Sequence, residues 1–326
     1  MLLEELMERI HGFQESRVLL TAIELDLFNV VGAGAPAEEV ARRLGAHPRS
    51  TEMLMNALVA LGLLEKQAGT FRNSETAARY LTRGSSEDLR LAIISQVSRW
   101  RRWSTLTECV RAGTAVLPEA LAPRGAQDTE AFIASMHYRA GARTPQIVRA
   151  LGAAGVKRML DLGGGSGAYS IAFAQANPEL RAEIVDLELV VGIARRHIEE
   201  AGLSGRVTAR VGDLRKDEFG GGYDLVLISS ICHMLGTGEN RDLLRRSFAA
   251  LAAGGRTVIQ DFILDADRAG PRQSAMFALG MLVATREGNT YTEQEYAEWL
   301  REAGFAEVRR VALRGPTNLI VGTRAA

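Results

Sequence analysis

MLDLGGGSGAYS, residues 159–170, reads as an apolar strand that runs into a glycine turn and out into a helix. Glycines cluster where the chain must turn tightly and where a ligand must come close to bare backbone. Gly163-x-Gly165-x-x-Ala168 satisfies the dinucleotide fingerprint G-x-G-x-x-G/A, which by itself marks only a nucleotide-like ligand. Six further segments share the strand character of its opening: RAEIVDL (181–187), RVTARVGD (206–213), YDLVLIS (223–229), RTVIQDF (256–262), FAEVRRVAL (305–313) and TNLIVGT (317–323). All are rich in Val, Ile or Leu, and helix-like stretches separate most of them. Continuous apolar strands alternating with helices predict an α/β fold with a seven-stranded, mostly parallel sheet covered on both faces. Only LRGP (313–316) joins the last two strands, so the final one is expected to run antiparallel.

Upstream the period is helical. Leu19, Leu20, Ile23, Leu27 and Phe28 recur at helix spacing. Pro36 opens a short helix, AEEVARRL (37–44), and Gly45 ends it. STEMLMNALVALGLLEK (50–66) reads as a third helix, apolar almost all round and therefore buried. LLEKQAGTFRNS (63–74) reads as a hairpin turning at Ala68-Gly69. Three helices and a small hairpin outline a winged helix. A DNA-binding role is rejected, because residues 1–100 carry 11 Lys and Arg against 13 Asp and Glu, a balance that repels phosphate. An interface module packing on a second copy is the better reading. Residues 101–150 form a helical connector, with a loop over 113–125 and a helix from 128. Trp100 and Trp103 share one helical face and read as core or dimer packing. The expected domains are thus 1–100, 101–150 and 151–326.

The 326 residues are 47% hydrophobic and 24% charged, an ordinary globular composition. Lys plus Arg equals Asp plus Glu, 39 each, so there is no bulk footprint for nucleic acid or an anionic membrane. The two cysteines, Cys109 and Cys232, have no metal-ligand spacing, and no metal is expected. The opening MLLEELMERIHGFQ is acidic and lacks a small-residue cleavage site, and no apolar run approaches the roughly 20 residues of a membrane span. The expectation is a soluble cytoplasmic protein.

Acids discriminate among nucleotide-like ligands. Asp161 stands two residues before the first glycine, where it would oppose a pyrophosphate but suit an amino group. Asp186 ends the second strand, at the ribose position. Asp213 ends the third, beside Gly212 and Leu214, where it can accept from an adenine amino group. Each alone reads as a helix cap. Together they fit an adenosine that is cationic and carries no phosphate, as in S-adenosylmethionine. A lone histidine reads by default as packed or capping, as His11, His47, His137 and His197 do here, but His233 stands in SSICHMLG after the fourth strand. Ligands of open α/β sheets bind there, and an imidazole can deprotonate a hydroxyl.

LDLGGGSG, VDLE, GDLR and YDLVLISSICHML resemble the S-adenosylmethionine-dependent O-methyltransferases of the dimeric branch that includes caffeic acid and acetylserotonin O-methyltransferases. TAIELDLF, MLMNALVALGLLE and YTEQEYAEWLREAGF extend the likeness over nearly the whole chain. The resemblance implies a Rossmann-like methyltransferase domain behind a winged-helix-like, all-helical dimerisation domain. It implies a homodimer and a small-molecule acceptor, aromatic or polyketide-like, methylated on a hydroxyl. Cofactor contacts fall on Asp161, Gly163, Gly165, Asp186, Leu187, Gly212, Asp213, Leu214, Ser229 and Ser230. The general base falls on His233, and an orienting carboxylate falls near Asp261, a shorter acid than the family's usual glutamate. Acceptor-pocket positions fall on Met136 and His137, and Met276, Phe277 and Met281 of the helix after the fifth strand could line the pocket or simply pack in the core. Met234-Leu235 stand where the family commonly has Asp-Trp, and Thr290 stands at a second acidic position. C- or N-methylation, a SAM-binding protein with other chemistry, and an NAD-dependent dehydrogenase remain open on the residues alone. Asp161 counts against the last.

Overall fold

Residues 2–122 and 125–326 are described by a computed structural model of the chain. They fall into two compact units, Met1–Arg101 and Arg102–Ala326. In the first, the helices Phe13–Glu24, Leu27–Val31, Ala37–Leu44 and Pro48–Ala60 close on a core of Leu27, Phe28, Val40, Met55, Leu58 and Phe71. Gly45 ends the third of these in the left-handed region, φ 63°. The hairpin pairs Leu64–Gln67 with Thr70–Asn73, and Ala68 and Gly69 both take positive φ (48° and 79°), as a two-residue turn matching strand twist requires. A third strand, Ala35–Pro36, widens this wing to three strands, where helices alone were expected around the hairpin. The helix Pro48–Ala60 corrects the expectation of an element buried all round. Thr51, Met55 and Leu58 form one buried stripe at helical spacing, whereas Met53 is 59% exposed.

The second unit is built on the seven-stranded sheet. Its strands are β1 (Arg158–Leu162), β2 (Arg181–Asp186), β3 (Val207–Val211), β4 (Tyr223–Ser229), β5 (Leu251–Asp261), β6 (Glu307–Val311) and β7 (Asn318–Thr323). Their spatial order is β6-β7-β5-β4-β1-β2-β3. Neighbours from β5 through β3 pair in parallel, and β7 runs antiparallel to both β5 and β6. Alternate residues feed two cores. Met159, Leu225, Leu227 and Val258 point to one. Leu160, Val226, Ile228 and Ile259 point to the other. The helices Ala168–Ala176 and Glu188–Glu200 cover the first face, and Thr237–Ala250 and Glu293–Glu302 the second. Strand order reverses between β1 and β4, which opens a crevice at the carboxyl ends of the strands. A small parallel pair, Ile263–Leu264 with Tyr291–Thr292, ties the chain after residue 290 to the end of β5. The expected loop over 113–125 contains a one-turn helix, Pro118–Leu121, and its residues 123 and 124 lie outside the described part. The helix expected from 128 runs over Ala126–Leu151. No helix among the described residues is long and apolar enough to cross a membrane.

Candidate active site

The turn after β1 is built on conformations open to glycine. Gly167 has φ 78°, and an added Cβ would stand 2.7 Å from Ile184 of β2. Gly163 has φ 70°, and a Cβ there would run into Ile231 and come within 3.2 Å of Leu214. Beneath the turn lies Asp161, fully buried, whose Oδ2 accepts from the Ser170 hydroxyl at 2.8 Å. Its Oδ1 has no partner. Burial pushes this carboxyl up to about 7, and neighbouring Asp186 adds to the shift. Asp186, at the end of β2, accepts from the amides of Gly165 and Leu187, both at 2.8 Å, and thereby pins the turn to the strand. Burial raises its pKa as well. Leu187 beside it is 59% exposed. Gly212 follows β3 with its amide on the Asp186 carbonyl at 2.9 Å, and an added Cβ there would meet Val185 at 2.6 Å. Asp213 Oδ1 accepts from the Arg215 amide at 3.0 Å, which closes a turn over 214–216 and caps no helix. Asp161, Asp186 and Asp213 thus stand at or just past three successive strand ends around one glycine turn.

The second half of the crevice lies past β4 and β5. Ser229 donates to Gln260 Oε1 at 2.7 Å, Gln260 Nε2 donates to Thr317 at 3.2 Å, and the Tyr169 phenol joins the Ser229–Gln260 pair. Ser230 carries a left-handed φ of 59°, rare for a residue with a side chain, and leads into the turn Cys232–Met234. On that turn His233 is buried, and its Nδ1 lies 2.7 Å from Asp261 Oδ1. The His233 amide donates to Asp261 Oδ2 at 3.1 Å, and the Phe262 amide donates to Oδ1 at 2.8 Å. Asp261 is wholly buried, and the Tyr296 hydroxyl reaches its Oδ2 at 3.5 Å. A carboxylate in that position holds the proton on Nδ1 and leaves Nε2 as the basic nitrogen. Asp261 is therefore long enough to grip the imidazole. Cys232, also buried, has its thiol pushed well up by burial and by Asp261. Thr290 is buried with its hydroxyl unpartnered.

An aromatic wall stands beside the dyad. Phe277, on the helix Arg272–Leu282, meets the His233 ring edge-on at 4.8 Å and 87°. It also stacks on Phe262 at 3.9 Å and 19°. Met281 is half-buried one turn further along the same helix. Met136 is half-buried on the helix Ala126–Leu151. The next residue, His137, makes its contacts with Ser166 of the glycine turn and with His197, on the cofactor side of the crevice. Sequence reasoning missed Phe262, Ser170, Gln260 and Tyr296. Only Phe262 carried a signal, as the aromatic directly after the orienting acid.

Three acids around a glycine turn on one side of the strand ends and a His–Asp pair on the other define a group-transfer site on a Rossmann-like sheet. The O-methyltransferase domain family matches residues 113–306, and the O-methyltransferase dimerisation domain family matches residues 7–83. A 3-hydroxy-5-methyl-1-naphthoate 3-O-methyltransferase of Streptomyces sahachiroi is 35% identical, over 96% of this chain and 93% of its own. The tetracenomycin polyketide synthesis 8-O-methyl transferase of Streptomyces glaucescens is 32% identical, over 98% and 96%. Among solved structures, PigF with SAH superposes with a TM-score of 0.89 at 26% identity, over 99% of this chain and all of that one. The chain belongs to the S-adenosylmethionine-dependent O-methyltransferases, enzymes that move a methyl group from that cofactor to a hydroxyl. The site fits the cofactor. The turn has no room for a side chain at Gly163, Gly164 or Gly167, and the unpartnered Asp161 oxygen is a buried acceptor for an ammonium.

Proposed function

We propose that the acceptor is a small planar phenol of the naphthoate or polyketide kind and that His233 is its general base. The observation that carries this reading is the His233–Asp261 pair at 2.7 Å beside the Phe262–Phe277 stack. Asp261 fixes the imidazole in the tautomer whose Nε2 takes the phenol proton. The aromatic wall gives a flat ring a face to lie on and keeps water from the reacting oxygen. Bound S-adenosylmethionine supplies an electrophilic methyl on a sulfonium. When it is bound, the phenol oxygen would displace its methyl group from sulfur while His233 Nε2 takes the phenol proton. The names of the relatives support a fused-ring acceptor.

In this reading Asp161, Gly163 and Gly165 hold the methionine end, together with Ser229 and Ser230. Asp186 and Leu187 take the ribose side, and Gly212, Asp213 and Leu214 the adenine. Met136, Phe277 and Met281 line the acceptor pocket. Residues 1–100 make a homodimer, 101–150 contribute to the acceptor pocket, and 151–326 bind the cofactor, in the cytoplasm. The dimerisation-domain match supports the second copy. The test is methyl transfer to a panel of hydroxynaphthoates and polyketide phenols, with the product atom located by NMR. An O-methyl product that is lost in His233→Ala is expected. Methylation on carbon or nitrogen, or full activity in that variant, overturns the reading.

A further inference from the structure

The helix Ala126–Leu151 lies over the glycine turn. A Cβ added at Gly165 would stand 3.7 Å from Ile133 of that helix, and Ile133 packs with Val190 and Ile193 of the helix Glu188–Glu200. One turn past Ile133, His137 Nδ1 comes 2.8 Å from the hydroxyl of Ser166, which is 4% exposed between Gly165 and Gly167. The other contact of the ring is with His197: the two imidazoles stack in parallel, centroids 4.2 Å apart and planes 7° apart. Glu130 and Arg196 add an ion pair between the same two helices at 2.5 Å.

We propose that His137 is a positioning residue for S-adenosylmethionine: stacked in neutral form on His197, it clamps Ser166 and so holds the glycine turn in its binding shape. Two imidazoles stacked this closely cannot both carry a proton without strong repulsion. Burial lowers the pKa of His137, and His197 lowers it further, while Glu200 opposes both. Glu200 lies 3.3 Å from His197 Nδ1. The Glu130–Arg196 pair joins the same two helices, and Asp161 and Asp186 lie in the strands on either side of the turn. A depressed histidine favours the neutral clamp. The clamp is therefore whole above about pH 6.5 and weakens as pH falls below that value. Cofactor binding then acquires an acid limb that does not involve His233.

The test is calorimetric titration of the full chain with S-adenosylhomocysteine at pH 7.5 and 5.5, with thermal melts showing that each sample is folded at both. In His137→Asn a short amide stands near the place of Nδ1 and does not titrate. At pH 7.5 its Kd is expected within about threefold of the unsubstituted chain. On acidification the Kd of the unsubstituted chain is expected to rise about three- to tenfold more than that of the variant. Asp161 also titrates in this range, but it does so in both proteins and cancels in the comparison. His137→Ala is expected to raise KM for S-adenosylmethionine about tenfold with kcat nearly unchanged at saturation. His197→Gln removes the second proton site and is expected to move the acid midpoint upward. Parallel pH curves for the unsubstituted chain and His137→Asn overturn the proposal, as does an unchanged midpoint in His197→Gln.

Discussion

His233 and Asp261 stand 28 positions apart in the chain, yet the fold brings Nδ1 of one within 2.7 Å of Oδ1 of the other. Removing the base by His233→Ala is expected to lower kcat about 10²- to 10⁴-fold while the Kd for S-adenosylhomocysteine stays within about twofold. Asp261→Asn keeps the shape but no longer favours the tautomer with the proton on Nδ1. Its kcat should fall about 10- to 100-fold in the same assay. Asp161 is a different kind of acid. Its carboxyl titrates near 7 in the folded chain against an ordinary value near 3.8. A raised carboxyl contributes stability that is whole below the ordinary value and lost as pH rises through the folded one. The unliganded protein should therefore lose stability between about pH 4 and 7 from this group. Asp161→Asn is expected to melt about 2–4 °C higher at pH 8 without cofactor, and to bind S-adenosylmethionine at least about tenfold more weakly. A differential scan and a titration on the same sample check both halves. Asp161, Asp186, Asp213 and His233 were legible from their places at strand ends, whereas Asp261 came only through the family resemblance. Tyr296 was not legible, because strand register sends Asp261 to the face opposite Gln260, and a sequence read one segment at a time does not say what covers that face.

At the scale of elements, the glycine turn is the part most exposed to damage by small changes. Gly167→Ala sets a methyl group against Ile184 at a backbone angle that side chains avoid. It is expected to cost about 1–3 kcal/mol of stability by denaturant melt and to weaken cofactor binding. Strands β1 to β4 were readable to within two residues at each end, because each is short and fenced by polar or glycine positions. The helix Pro48–Ala60 shows the limit of such reading. Met53 and Leu54 look like core in a list of apolar residues, and only the angular position around the axis sets Met53 outside. The strand Ala35–Pro36 carries too little sequence to announce itself and exists because Phe71 and Thr70 offer it an edge.

At the scale of the whole molecule, sedimentation at micromolar concentration is expected to give a species of twice the 35.3 kDa chain mass. A monomer there would sink the homodimer reading. Equal numbers of acids and bases leave such a particle without long-range steering of its own, so encounter with an uncharged phenol should depend little on salt. The two free cysteines, finally, make the protein silent to thiol reagents while it is folded. Cys109 and Cys232 are both wholly buried, and the thiol of the second is held protonated. Whatever alkylation does occur at Cys232 must wait for the turn next to His233 to swing open. The rate of that labelling, followed by mass spectrometry with and without bound S-adenosylhomocysteine, is thus a built-in clock for how often the acceptor side of the crevice breathes.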